Sequence, residues 1–295
     1  GWNGSTFVPT RNAVYDKIES LSAGSGVVAT DTPTWSGSHT WTQIARASFT
    51  HASLMTIPTS TDPSAMIEEG AVSWESDRDI FSVGTGAVLK GLISGTTIQV
   101  FTTTGTYTPH ANMAYVKVIV TGGGGAGALC ANTDSSSGGG GSGETRIAIF
   151  SAATIGASQA VGIGAAATVG LSGSPTTFGA LITANAGTVA TSTAGSTTVG
   201  FWSDGGAGGT GGSGGFAIPG KRGNPGVVYS TTHGAGGDGA PSFWGGGGTA
   251  ARSQQDGGAA ASFGGGGGGC HTAVAGDQNG GAGAAGYVWI QEYIR

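Results

Sequence analysis

The chain has 295 residues, 62 of them glycine, and a formal net charge of −5 carried by only 9% charged residues. Its 11 basic residues are scattered, which excludes a nucleic-acid surface built on clustered Lys and Arg. No stretch approaches the roughly 18 to 20 apolar residues of a membrane-spanning helix, so no membrane insertion is expected. The opening at Gly1, without Met, charged n-region or apolar stretch, reads as a fragment or processed product with no secretion signal.

Glycine is unevenly placed: 11 of the 62 precede Gly122, and the remaining 51 fall between Gly122 and Gly286. Glycine buries no side chain and loses the most backbone freedom on ordering, so the second part of the chain has to recover that free energy through backbone hydrogen bonds and close approach. With the elements taken up below, the chain divides into a helical segment over 1–26, a β-rich segment over 27–95 and a glycine-rich part over 96–295, a mainly β protein overall.

Residues Pro9–Leu21 read as a helix. Thr10 can cap it, Val14, Ile18 and Leu21 share one face, and Gly24 stops it. About a dozen residues are marginal as an isolated helix. Val14, Ile18 and Leu21 are therefore the candidate oligomerisation residues, in a three-stranded coil or against the chain's own strands. From Val27 to Phe101 short β-rich segments follow, among them Trp35–Trp41, Ala47–Phe49, Leu54–Ile57, Ala71–Trp74, Ile80–Val83 and Val88–Leu92. Strands this short bury little apolar area within one chain, and threefold association supplies the missing core.

Two motifs here carry a resemblance. Phe7-Val8-Pro9-Thr10-Arg11-Asn12-Ala13-Val14-Tyr15-Asp16-Lys17-Ile18-Glu19 resembles a helix that recurs in tail fibres of tailed bacteriophages. Glu69-Gly70-Ala71-Val72-Ser73-Trp74-Glu75-Ser76-Asp77, with Phe81-Ser82-Val83-Gly84-Thr85-Gly86, is similar to a hairpin of the same proteins. The resemblance implies a homotrimeric stem and collar, joined to an upstream tail-fibre segment.

In the glycine-rich part, the head, strands are expected at Thr97–Thr103, Ala114–Thr121, Thr145–Phe150, Gln159–Ile163 and Gly286–Tyr293, framing a glycine-rich interior. Runs such as Gly138–Gly141, Gly205–Gly215, Gly245–Gly248 and Gly264–Gly269 are loose linkers or packed extended helices of three residues per turn. Their recurrence between good strands favours packing, since chains without β-carbons can approach closely and exchange N–H···O=C bonds. This part resembles the glycine-rich C-terminal domains of tail fibres and, more loosely, the polyglycine-helix adhesins at the fibre tips of T-even-like phages. The similarity rests on Phe101-Thr102-Thr103-Thr104-Gly105-Thr106-Tyr107-Thr108, Val118-Ile119-Val120-Thr121-Gly122-Gly123 and Gly286-Tyr287-Val288-Trp289-Ile290. It implies a virion protein at the fibre tip that binds a bacterial surface receptor, an outer-membrane protein or a surface glycan.

Between the glycine islands the sequence varies, at Phe201–Asp204, Phe216–Arg222, Tyr229–His233, Ser242–Trp244, Arg252–Asp256 and Cys270–Gln278. Rigid aromatics beside polar side chains suit recognition, because they offer area at low entropy cost. Trp202, Tyr229, His233, Phe243, Trp244 and His271 are the candidate receptor-binding residues; the alternative for each is a wedge in the glycine bundle. Cys130 and Cys270, 140 residues apart, either bridge or serve as small apolar filler, and free buried thiols are the expected state.

No cofactor, metal site or catalytic centre is expected. Gly215–Lys221 matches a phosphate-binding loop up to its lysine, but Arg222 stands where Ser or Thr would hold magnesium. Asp204, Asp238, Asp256 and Asp277 lack the fixed spacing of calcium-binding glycine repeats. Glu68, Glu69, Glu75, Asp77 and Asp79 are dense enough for glycan cleavage but fall in the stem hairpin, where a solvated turn explains them.

Overall fold

The computed structural model describes residues 95–294, apart from 132, 194–199, 231 and 274–275, together with the backbone of four short strands upstream. The helix expected over Pro9–Leu21, with Val14, Ile18 and Leu21, and the segments Trp35–Trp41, Ala47–Phe49 and Leu54–Ile57 lie outside the described residues. The upstream strands are β1 (Thr59–Ser60), β2 (Val72–Glu75), β3 (Ile80–Gly84) and β4 (Leu89–Gly91), in one open sheet of order β1-β2-β3-β4. The β2–β3 pair is an antiparallel hairpin with Trp74 opposite Phe81.

The head is mainly β and its sheets are open. Its largest sheet has five strands in the order β14 (Phe216–Ile218), β9 (Thr145–Ser151), β7 (Met113–Thr121), β18 (Tyr287–Ile294) and β5 (Gly95–Phe101). These include the segments richest in Val, Ile, Tyr and Trp, which suit a pleated, half-buried surface. Val116, Val118, Val120, Val288 and Ile290 alternate onto one face and are fully buried. Against them packs a four-stranded sheet, β12 (Ile182–Ala184), β11 (Thr176–Phe178), β10 (Gln159–Gly162) and β6 (Gly105–Tyr107), bringing Tyr107, Val161, Phe178 and Ile182 into the same core. The helix α1 (Ala152–Ile155) closes that core with Ile155 and is capped by Ser151, whose Oγ accepts from the Thr154 N–H. The inner face also holds Glu292, which is buried and accepts from Tyr107 Oη and Thr97 Oγ1, both at 2.6 Å, and from the His110 N–H at 3.0 Å. Burial raises the pKa of this carboxyl, and the three donors outweigh that, leaving it below its ordinary value.

The glycine runs are packed. Strand β7 continues into residues 122–127, residues 137–144 lead into β9, and residues 279–286 lead into β18. Along 137–144 the donated hydrogen bonds rotate from one neighbour to the next with a repeat of three. Gly138, Gly141 and Glu144 donate to Thr191, Thr188 and Asn185; Gly139 and Ser142 donate to Asn224 and Lys221; Gly140 and Gly143 donate to Gly267 and Gly264. Three further segments donate to the same run, through Gly122 and Gly125, Gly206 and Gly209, and Gly237 and Ala240. One run thus has six neighbours, three as acceptors and three as donors. The three-residue repeat is that of an extended helix with three residues per turn, which has no internal hydrogen bonds and turns all its N–H and C=O groups outward. A sheet strand, by contrast, bonds to two neighbours only.

Such spacing leaves no room for side chains. A β-carbon on Gly141 would collide with the Ala207 carbonyl, and one on Gly124 with that of Gly265. Where a run must leave the lattice and join the sheet, Gly214 and Gly215 take φ of 76° and 64° and turn the chain into β14. The segment Phe216–Ile218, inside the apparent phosphate-loop match, is therefore an edge strand. At the same seam the Glu144 carboxylate pairs with Arg146 at 2.9 Å and accepts from the backbone N–H groups of Asn185 and Gly212, so this buried charge is fully partnered.

The cysteines are a correction to the expected free thiols: Cys130 and Cys270 form a disulfide with a Cα–Cα separation of 6.1 Å. Lateral pairing of two distant runs causes this. Gly267 donates to Gly125, and both runs end in a cysteine at the same level.

Candidate functional site at the tip

Successive runs reverse direction, and the hydrogen-bond register assigns each connection to one of two ends. Glu144 and Asn185 mark the level where the lattice meets the five-stranded sheet; Gly138 and Thr191 mark the opposite level, the tip. The described parts of the connections between Ala128 and Ser137, Thr191 and Asp204, Asn224 and Gly236, Ala251 and Gly257, and Cys270 and Asn279 all fall at the tip. Those between Gly209 and Gly220, Ala240 and Gly247, and Ala260 and Gly264 fall at the sheet end.

This sorting separates the candidate binding residues. Trp202 lies in β13 (Phe201–Ser203), Tyr229 in β15 (Gly226–Ser230) and His233 in β16 (His233–Ala235), which form one sheet of order β13-β15-β16 at the tip. Trp202 is 67% and Tyr229 64% exposed. The exposed His233 ring is fixed from one side, with Nδ1 2.8 Å from Thr232 Oγ1. Beside them is a cleft of about 780 Å³ lined by Tyr229, His233, Asp238, Thr249, Arg252 and Ser253. Asp238 Oδ1 accepts from the Ala250 N–H at 2.8 Å, which fixes the carboxylate at the rim. Arg252 has no ion pair among the described residues. An aromatic face, a guanidinium, a carboxylate and two hydroxyls around one opening can hold a polar ligand by stacking and by hydrogen bonds in both directions.

His271, expected at the surface, is fully buried in β17 (His271–Thr272), which pairs with β8 (Ser135–Ser136) beneath the cleft. Its ring lies against the backbone of Gly234, where any β-carbon would strike it, and neither ring nitrogen makes a well-formed hydrogen bond. Burial pushes the imidazole below its ordinary value; the Ser253 backbone and the Asp134 carboxylate offset part of that, and His233 adds to it.

Phe243 and Trp244 belong to the sheet end and not to this site. Trp244 is half-buried, donates from Nε1 to Thr121 Oγ1 at 2.9 Å and meets Tyr287 edge-on, while Phe263 stacks on the same Tyr287 at 4.4 Å. This aromatic group wedges the seam between lattice and sheet. Phe243 remains 48% exposed beside a smaller opening lined by Pro219, Lys221 and Ser242.

Asp238 and Thr249 are cleft residues that the sequence does not single out for binding. Each is a polar residue within a glycine-rich run at its tip-side end, a signal readable once the direction of each run is known. Among the described residues, no group of three or more His, Cys, Asp or Glu side chains could hold a metal ion.

The family model described as a glycine-rich domain matches residues 99–293. Among curated proteins no relative matches the chain.

Proposed function

The chain belongs to the glycine-rich domain family; for this member we propose a bacteriophage tail-fibre adhesin whose head binds a receptor on the bacterial cell surface during host adsorption. The observation that carries this reading is the sorting of the connections. The sheet end receives the chain from its first 94 residues through β5, and the opposite end gathers varied segments that expose Trp202 and, at the edge of one cleft, Tyr229. A lattice made of backbone alone holds such segments in place whatever their sequence, which is what a recognition surface that must differ between hosts requires.

In this reading the protein acts as a homotrimer at the fibre tip of the virion, joined to an upstream fibre segment, and needs no cofactor. The receptor is an outer-membrane protein or a surface glycan; the cleft's mixture of aromatic and hydrogen-bonding groups serves either. Several heads per particle turn modest single-site affinity into firm attachment through effective concentration. The Cys130–Cys270 disulfide suits a protein that works outside a reducing cytosol.

The test is attachment of the purified, fluorescently labelled chain to a panel of bacterial cells. Binding to some strains, reduced at least tenfold by Trp202→Ala with Tyr229→Ala at unchanged melting temperature, supports the reading. Full binding by the double variant removes the tip from the proposal.

A further inference from the structure

The outer face of the five-stranded sheet is apolar along a continuous row. In register across β14, β9, β7, β18 and β5 stand Phe216, Ile147, Ile119, Trp289 and Val100. The adjacent row carries Ile149, Lys117, Gln291 and Ile98, and the next one Tyr115 and Tyr293. Phe216 is 70% exposed, Ile149 67%, Ile98 59%, Val100 53% and Tyr115 47%, while Ile119 at the centre of the row is buried and Ile147 and Trp289 are half-buried. Scattered exposed apolar residues need no explanation, but five on one sheet face, flanking an apolar centre, mark an interaction surface.

We infer that this face packs against the same face of the other copies of the chain about a threefold axis, an inference that rests on the homotrimer proposed above. Three observations favour a copy over another occupant. Lys117 is the one charged side chain in these rows, and its Nζ lies 5.9 Å from the centroid of the Trp289 ring, a cation–π arrangement within its own chain. Two such faces therefore meet without like-charge repulsion, whereas a charged partner or an anionic lipid surface finds almost nothing to pair with. The five exposed side chains leave roughly 500 Å² of largely apolar surface, more than half of the about 800 Å² per partner that a standard interface buries. Finally, β5 borders the face and is the strand through which each copy's first 94 residues enter the head, so copies tethered upstream present these faces to one another at high effective concentration. Gathered in this way, the three sheets bury Phe216 and Ile149 as a core between them.

The experiment uses the full chain. Light scattering across a dilution series gives the solution mass of the wild type and of Phe216→Glu with Ile149→Glu; both positions are exposed, and unchanged melting confirms that the double variant folds. In parallel, Ile149→Cys is oxidised mildly and examined for covalent dimers. The expected result is a wild-type mass that is a multiple of 28.4 kDa, with the mass falling in the glutamate variant or, where upstream residues keep the copies together, covalent linkage through Ile149→Cys. A wild-type mass of 28.4 kDa overturns the inference. So does an oligomer whose mass is unchanged in the glutamate variant and which does not cross-link. Cell attachment is a separate readout: a monomer that still binds bacteria defeats this interface and leaves the adhesin reading standing.

Discussion

A β-carbon on Gly266 would lie inside the van der Waals envelope of the Gly140 carbonyl oxygen, and Gly140 donates its own N–H to Gly267 on that run. The contact cannot be relieved by moving a side chain, because both partners are backbone. Gly266→Ala is expected to lower stability by about 3 kcal/mol or more, or to abolish soluble expression. Gly246 has nothing within 4 Å of its β-carbon position, and Gly246→Ala should change stability by no more than about 0.5 kcal/mol. Denaturant midpoints of the two variants check this, and equal midpoints would show that the runs are not packed as described.

Trp202 and Trp244 should separate binding from stability. Trp244→Ala removes a hydrogen bond to Thr121 and the edge contact with Tyr287, at a cost of about 2 kcal/mol. Trp202→Ala, at an exposed position, should leave the melting temperature within a degree or two and affect attachment to cells alone. Thermal melts run beside the attachment assay read both.

The disulfide closes a long loop between residues separated by 140 positions. Replacing both cysteines by serine is expected to cost about 2 to 5 kcal/mol, chiefly by freeing the unfolded chain. Guanidinium unfolding with and without a reductant tests this. A wild type insensitive to reduction under unfolding conditions, where the bond is accessible, would argue against the bridge.

Acid should weaken the head in two stages. His271 is held neutral by burial, so its folded pKa lies below the ordinary 6.5. As pH falls below about 6.5 the unfolded chain takes up a proton that the folded head does not, and stability declines. Asp134, which favours the proton, and His233, which opposes it, set how far the window extends. Glu292 adds a second loss below its ordinary 4.5, as pH falls through its depressed folded value. Melting temperatures between pH 8 and pH 5 should slope downward for the wild type and flatten for His271→Gln.

The strands were legible because their side chains carry the pattern. Thr145–Phe150 and Ala114–Thr121 lie within the observed β9 and β7, and Gly286–Tyr293 is offset by one residue from β18. The partners of the glycine runs were not legible. Every turn of such a run looks like every other, so nothing in Gly138–Gly141 specifies that its neighbours are residues 185–191, 221–224 and 264–267. That same degeneracy hid the level of each connection, and with it the separation of Trp244 from Trp202. It also hid the meeting of Cys130 with Cys270, which depends on two runs ending side by side. The burial of His271 followed from its pairing with Ser136, a strand of two residues too short for any periodicity to announce.

The direction of the hydrogen bonds in the lattice has a mechanical meaning. Extended helices of this kind turn their N–H and C=O groups outward, so the bonds between runs lie across the run axis, and β18, which leaves the lattice, pairs with β5, the chain's point of entry. A tug between a bound surface and the rest of the chain, directed from tip to sheet, therefore shears many bonds at once instead of peeling them one after another. Force applied sideways, across the runs, meets them in sequence and separates them far more easily.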